Sequence, residues 1–305
     1  MTNAKRLLVT GSSGMLGVDF CSELSRDYKI TGFDLKEPPF KIEGVFDFLK
    51  IDLTDENRLA REIKGISPAF VIHLAANTDV DGCELDAQKA YLYNSETAKY
   101  IAEICRNNKT PLLFISTDFV FDGNNNRPYI ETDETNPISV YGKSKLKGEE
   151  YIAEICDKYY IFRTAWLYGK WGRNFVKTIA AKAKTEKMLK IVDDQQGCPT
   201  YTKDLTFALA GFLKKLLLEG KHCDSGIFHL VNSGSCSWHE YAKIIVEWTK
   251  ASAEVIPILS EELNRPARRP KWSVLDCTKF EEFSGLKLRN WRQALKSYLK
   301  EEGFF

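Results

Sequence analysis

The apolar run Leu7-Leu8-Val9-Thr10 passes without a break into Gly11-Ser12-Ser13-Gly14-Met15-Leu16-Gly17, after which Leu16, Phe20 and Leu24 recur at helical spacing. A buried strand that turns on glycines straight into a helix is the opening of a βαβ unit. Each glycine has its own physical reason. Gly11 permits the tight turn, Gly14 lets backbone N–H groups approach a pyrophosphate, and Gly17 lets the helix pack closely on the strand. Three glycines exceed what a plain βα turn requires. Gly11, Ser12, Ser13, Gly14, Met15 and Leu16 are therefore candidates for holding a dinucleotide.

The strands that follow extend the pattern. Lys29 to Phe33 ends in Asp34, seventeen residues past Gly17, where an acid can accept adenosine ribose hydroxyls. Phe46 to Ile51 ends in Asp52-Leu53, and Asp52 either meets the adenine amino group or caps the next helix. Phe70 to Ala76 runs into the small residues Ala75 and Ala76, with Thr78 just beyond, so a cofactor can lie against the backbone there. His73 reads as a packed strand histidine. Asn94 lies in a helical segment of roughly residues 84–107 and either reaches the site, is solvated, or kinks the helix. With Leu112 to Ile115 and Tyr159 to Thr164, strands alternate with helices over about 165 residues. That alternation predicts an α/β fold, a Rossmann-type doubly wound parallel sheet. No linker follows. Residues 1–165 are expected to form the cofactor-binding domain and 166–305 a smaller interleaved substrate lobe. Segments near 203–232, including the helix Leu205 to Leu218 and strand Phe228 to Val231, are expected to return to the first domain.

Chemistry enters with Ser116 and Thr117, at the C-terminal end of a strand, where open α/β sheets place ligands. Tyr141 and Lys145 stand four apart at the start of a helical pattern and share one face. A phenol with pKa near ~10 is a poor acid at neutral pH, and a neighbouring cation is expected to lower it. Such a phenol can exchange a proton with a carbonyl oxygen while the Thr117 hydroxyl holds that oxygen. Alone, Y-x-x-x-K also fits a solvated helix face; the glycine turn upstream turns the reading toward carbonyl reduction.

Net charge of +1 supplies no basic stripe for nucleic acid. Eight cysteines are scattered with no C-x-x-C and read as reduced packing thiols. No apolar run approaches ~18 residues and no signal-like segment opens the sequence, so a soluble, cytoplasmic protein without a membrane partner is expected.

Taken together these residues resemble the extended short-chain dehydrogenase/reductases, and within them the dTDP-4-dehydrorhamnose reductase family. Gly11/Gly14/Gly17 and Tyr141/Lys145 carry the superfamily likeness. The family likeness rests on Ser116 to Gly123, Val140-Tyr141-Gly142, Phe162 to Trp166, Asp194 to Thr200 and Pro266 to Pro270. The resemblance implies that NADPH or NADH reduces the 4-keto group of dTDP-6-deoxy-L-lyxo-4-hexulose to give dTDP-L-rhamnose. It implies that Thr117 holds the keto oxygen, Tyr141 donates the proton, and Lys145 binds the nicotinamide ribose and depresses the tyrosine pKa. Asp118, Phe119, Trp166, Asn174, Arg268 and Arg269 are then candidates for contacting the nucleotide-diphosphate sugar. Asp34, with Lys36, Ser12 and Ser13 close in sequence, suggests use of both cofactors with a modest NADH preference.

The sequence departs from the family at several points. Phe119 stands where tyrosine is often found. Some members pair subunits through magnesium, but here Asp19 is joined by Lys203 and Asn290 at the corresponding positions. No metal is therefore expected, and a homodimer is left open. Cys198 occupies a position where a small residue is usual. The rival readings are a nucleotide-sugar epimerase or dehydratase, and a non-catalytic cofactor-binding subunit resembling the methionine adenosyltransferase β subunit.

Overall fold

Alternate side chains of strand β1 (Arg6–Thr10) feed two separate cores. Leu7 and Val9 pack with Leu16 and Phe20, whereas Leu8 joins Phe33, Val71 and Ile101 on the other face. A strand apolar on both faces belongs inside a parallel sheet that is covered on both sides. This computed structural model describes residues 4–39 and 46–304 and contains that sheet.

The other strands are β2 (Lys29–Asp34), β3 (Phe46–Lys50), β4 (Phe70–His73), β5 (Leu112–Thr117) and β6 (Tyr159–Thr164), then β7 (Leu167–Tyr168), β8 (Met188–Val192), β9 (Gln196–Gly197), β10 (Thr200–Tyr201), β11 (Gly226–His229), β12 (Cys236–Ser237) and β13 (Glu254–Ile258). The main sheet runs β3-β2-β1-β4-β5-β6-β11, with every neighbouring pair parallel. Its order reverses between β1 and β4. The crevice at the carboxyl ends of those strands is where such sheets bind ligands.

The helices are α1 (Met15–Leu24), α2 (Glu56–Ile66), α3 (Val80–Leu85), α4 (Ala87–Tyr91), α5 (Thr97–Asn107), α6 (Val140–Ile155), α7 (Phe175–Lys182), α8 (Thr202–Leu217), α9 (Trp238–Trp248), α10 (Thr278–Ser284) and α11 (Trp291–Glu301). Helices α1 and α8 cover one face of the sheet through Leu16, Phe20, Leu205, Leu209 and Phe212. Helices α2, α5 and α6 cover the other through Leu59, Ile63, Ile101 and Ile152. Late segments of the chain thus build the first half: β11 pairs with β6, and α8 packs on α1. A third core lies among α7, α9 and α11, around Tyr168, Tyr241, Trp291 and Tyr298.

The helical segment expected over 84–107 is not continuous. Asp86 caps α4 by accepting the Lys89 N–H, which ends α3 and starts a new helix. A π-helical turn at Leu92–Glu96 then shifts the face presented by Asn94.

Candidate active site

The first turn of α6 is held at both ends of its opening. Ser139 accepts the Gly142 N–H at 3.1 Å, and the Val140 N–H donates to Glu84 Oε2 at 2.9 Å. A Cβ on Gly142 would stand 2.2 Å from the Phe119 carbonyl oxygen, so only glycine lets this turn ride on the 3₁₀ turn Asp118–Val120. That close approach brings Tyr141 against the end of β5. The Thr117 hydroxyl lies beside the phenol, donates to Asp118 Oδ1 at 2.9 Å and accepts from the Phe119 N–H at 3.2 Å. The Phe119 ring stands edge-on to Tyr141, with centroids 5.7 Å apart.

The electrostatics correct one expectation. The Lys145 ammonium donates to the Ile115 carbonyl at 2.8 Å and lies 3.8 Å from the Phe114 ring centroid, facing the β5 backbone. Burial pushes its pKa down to about 7, with Glu149 pulling the other way. Burial also raises the Tyr141 phenol above its usual range; the adjacent Thr117 hydroxyl opposes this and Asp118 adds to it. Lys145 therefore does not make Tyr141 more acidic in this arrangement, because desolvation dominates both groups. The phenol stays protonated, the form in which it can give a proton away. The Asp118 carboxyl is pushed up to about 6 by burial, opposed by the nearby Ser273 and by Thr117, whose hydroxyl donates to Oδ1.

Toward β1 the residues fit a dinucleotide. A Cβ on Gly17 would fall 2.0 Å from the Gly11 carbonyl oxygen, so α1 sits directly on the turn. Gly14 begins α1 with no side-chain cap and no acid follows in the first turn, leaving its N–H groups for an anion. The segment carrying Ala75 and Ala76 passes against the same turn: a Cβ on Gly11 would meet the Ala75 nitrogen at 2.6 Å. Thr78 is exposed beyond it. Asp34 Oδ2 accepts the Ser13 N–H at 3.0 Å, and Oδ1 accepts the Leu35 N–H at 2.7 Å, so this acid also shapes the turn. Met15 opens α1, whereas the side chains of Leu16 and Leu53 are buried in the two cores and offer only backbone to a ligand.

Asp52 accepts from the Thr54 backbone and hydroxyl at 3.0 and 2.8 Å; Asp55, not Asp52, caps α2. Asn94 is buried rather than solvated. Its amide grips the Asn77 N–H (2.7 Å), the Asn77 carbonyl (3.1 Å) and the Ser144 hydroxyl (3.0 Å), tying the loop after β4 to α6 beside Lys145. His73 is packed on Phe114, bonded to Thr10 at 2.6 Å and kept neutral by burial, its pKa lowered to about 3.

On the opposite side, Trp166 adopts φ +45° just past β6 and stacks face to face on Trp238, with centroids 3.4 Å apart. One face of the indole expected to pack on a sugar is therefore covered by a second indole. Asn174 caps α7 through the Lys177 N–H at 3.0 Å and donates to the Gly169 carbonyl at 2.7 Å, so its amide is largely committed. Arg268 is exposed, whereas Arg269 forks onto Asp81. The carboxyl of Asp19 accepts from Thr202 and Trp171, Lys203 pairs with Glu301, and Asn290 caps α11. Cys198 is buried among Val120, Ala165 and Val274.

Sequence reasoning missed Ser139, Ser273, Trp238 and the buried Glu149–Arg163 pair. Two of these carried a signal. Ser139 stands at the cap position of a helix, and Glu149 lies one further turn along α6 from Lys145. Ser273 and Trp238 approach from distant segments, and nothing local marks them.

The family model described as "RmlD substrate binding domain" matches residues 5–303. The spore coat polysaccharide biosynthesis protein SpsK of Bacillus subtilis is 37% identical, covering 97% of each chain. The dTDP-4-dehydrorhamnose reductase of Escherichia coli is 32% identical, with 97% of each chain covered. A dTDP-4-dehydrorhamnose reductase structure from Bacillus anthracis, in complex with NADP, superposes with a TM-score of 0.88 at 34% identity, covering 98% of this chain and 99% of that one.

Proposed function

This chain belongs to the dTDP-4-dehydrorhamnose reductase family, and on that premise we propose that Thr117, Tyr141 and Lys145 carry out reduction of the 4-keto group of dTDP-6-deoxy-L-lyxo-4-hexulose to dTDP-L-rhamnose. The chain is an NAD(P)H-dependent oxidoreductase of nucleotide-sugar biosynthesis. When bound, the nicotinamide supplies the hydride. Gly11 to Leu16, Asp34, Asp52 and the loop of Ala75 and Ala76 would hold the cofactor. Residues 1–165 serve that binding and 166–305 the sugar nucleotide, with α8 and β11 returning to the first domain.

The buried approach of Tyr141 to Thr117, beside the end of β5, carries this reading. Thr117 holds the 4-oxygen of the sugar by turning its hydroxyl proton from Asp118 Oδ1 to that oxygen, and Tyr141 gives its phenolic proton there as negative charge develops. Beside Thr117 in the sheet, the Thr164 hydroxyl is buried with no hydrogen-bond partner among the described residues. A buried hydroxyl without a partner is costly, and a polar ligand would satisfy it. Phe119 occupies the place where a dehydratase would need a second acid, which favours reduction over elimination. Among the described residues, no helix is long and apolar enough to cross a membrane.

The test is spectrophotometric. NADPH and NADH oxidation is followed with the dTDP-keto sugar and the sugar product identified. Turnover to dTDP-L-rhamnose is expected. Tight cofactor binding with no turnover would instead favour a non-catalytic cofactor-binding subunit.

A further inference from the structure

We propose that Glu149 is a positioning residue for the reduction: a counter-ion shared between Lys145 and Arg163 that keeps the Lys145 side chain charged inside the protein. The proposal rests on the role given to Lys145 above. Lys145 and Glu149 are one turn apart on the buried face of α6, at 2% and 3% relative exposure. Glu149 is gripped by Arg163 of β6, whose Nη2 donates to Oε2 at 2.7 Å and whose Nε donates to both oxygens at 3.1 and 3.2 Å. Arg163 stands opposite Ser116 in the sheet, next to Ile115, whose carbonyl accepts from Lys145. Two cations and one carboxylate thus share a dry seam between α6, β5 and β6.

A charge in such a place survives only with a partner. The groups around Lys145 show which partner it has. His73 of β4 is held neutral, with Lys145 itself contributing to that. Tyr141, on the same helix, and Cys83 of α3 are both held protonated by burial. Asp118 lies beside Thr117 and Tyr141, and Glu84 of α3 is committed to the Val140 N–H. The buried residues of β5, of the π-helical turn and of α5 include no acid. Glu149 is the charged group that raises the lysine toward protonation. Arg163 fixes the carboxylate and, as a second cation, limits how strongly it acts on Lys145.

The arrangement predicts a downward shift for one substitution and none downward for the other, a contrast that general structural damage cannot imitate. The Lys145 Nζ is titrated by ¹⁵N NMR in the cofactor-free chain, and NADPH affinity is measured across the same pH range. Glu149→Gln should lower the Lys145 pKa by a unit or more. NADPH affinity should then fall about tenfold or more at pH 8 and change little at pH 6. Arg163→Gln should leave the Lys145 pKa unchanged or raise it. Glu149→Asp, which keeps the charge if the longer variant folds poorly, should retain the wild-type titration within half a unit. An unmoved Nζ titration in Glu149→Gln would overturn the proposal, as would a downward shift in Arg163→Gln. If Nζ titrates as expected while NADPH affinity ignores pH in every variant, the counter-ion holds and the cofactor role of Lys145 fails.

Discussion

Arg269 grips the carboxylate of Asp81 through two hydrogen bonds, Nη1 to Oδ1 at 3.0 Å and Nη2 to Oδ2 at 2.8 Å. The same carboxylate accepts the Ala267 N–H, and Arg269 closes back onto the Ala267 carbonyl. Asp81 lies in the first turn of α3, so this fork fastens the proline-flanked loop of the second half onto the first. The pair expected to clamp substrate phosphate is therefore divided in its work. Arg269 shapes the loop, whereas Arg268 is exposed, and we propose Arg268 as the phosphate contact.

The division is testable by single substitutions. Arg268→Ala should raise KM for the nucleotide sugar about tenfold or more and leave the thermal midpoint unchanged, since a lost charge-assisted bond is worth ~1.5–3 kcal/mol. Arg269→Ala and Asp81→Asn should each release the loop, lowering stability and raising KM together. Steady-state kinetics beside thermal melts decide between these outcomes. An Arg269→Ala variant of normal stability with the larger KM effect would reverse the assignment.

Asp118 gives a prediction whose sign depends on pH. Its folded pKa, about 6, lies above the unfolded value near 3.8. The folded state thus binds the extra proton between those values, and the stability this confers is complete below the lower pKa and lost as pH rises through the upper. Asp118→Asn cannot ionise, so it should stabilise the protein at pH 8, by up to about 3 kcal/mol for a shift of this size. Little should be gained at pH 3.5. The contrast between the two pH values cancels the buried histidines, which are common to both proteins. Denaturant melts at both pH values measure it, and an equal increment at each would contradict the burial argument.

For cofactor choice the proposed reader is Asp34. Its carboxylate holds the Ser13, Leu35 and Lys36 N–H groups, at 3.0, 2.7 and 3.3 Å, and so presents its charge where the adenosine ribose is expected. Asp34→Ala should weaken NADH binding and strengthen NADPH binding, since a 2′-phosphate would no longer face a like charge. Titration of both cofactors against wild type and variant reads the ratio. A ratio that does not move places the ribose elsewhere.

How much of this was legible beforehand follows from the range of each interaction. The strand, glycine turn and helix from Leu7 to Leu24 were readable because period and turn chemistry are local, as was the pairing of Thr117 with the Tyr141 face. β11 pairs with β6 over Gly226–His229, two residues before the strand expected at Phe228 to Val231. The small pairings β7–β10 and β9–β12 are two residues long, too short to show any periodicity. The Arg269–Asp81 fork joins residues 188 apart, which no local pattern signals. The misread electrostatics of Tyr141 and Lys145 has the same origin. Adjacency on a helix was visible, but the burial that outweighs it is set by segments far away in sequence.

The central claim is that the Tyr141 hydroxyl delivers the proton. Its most direct test is kcat for NADPH oxidation with dTDP-6-deoxy-L-lyxo-4-hexulose by the Tyr141→Phe variant, with the NADPH dissociation constant measured alongside. Removing only the hydroxyl should lower kcat by roughly 10²–10⁴-fold, the scale of general acid catalysis, while cofactor affinity stays at the wild-type value. A Tyr141→Phe enzyme turning over at near wild-type rate would contradict the assignment.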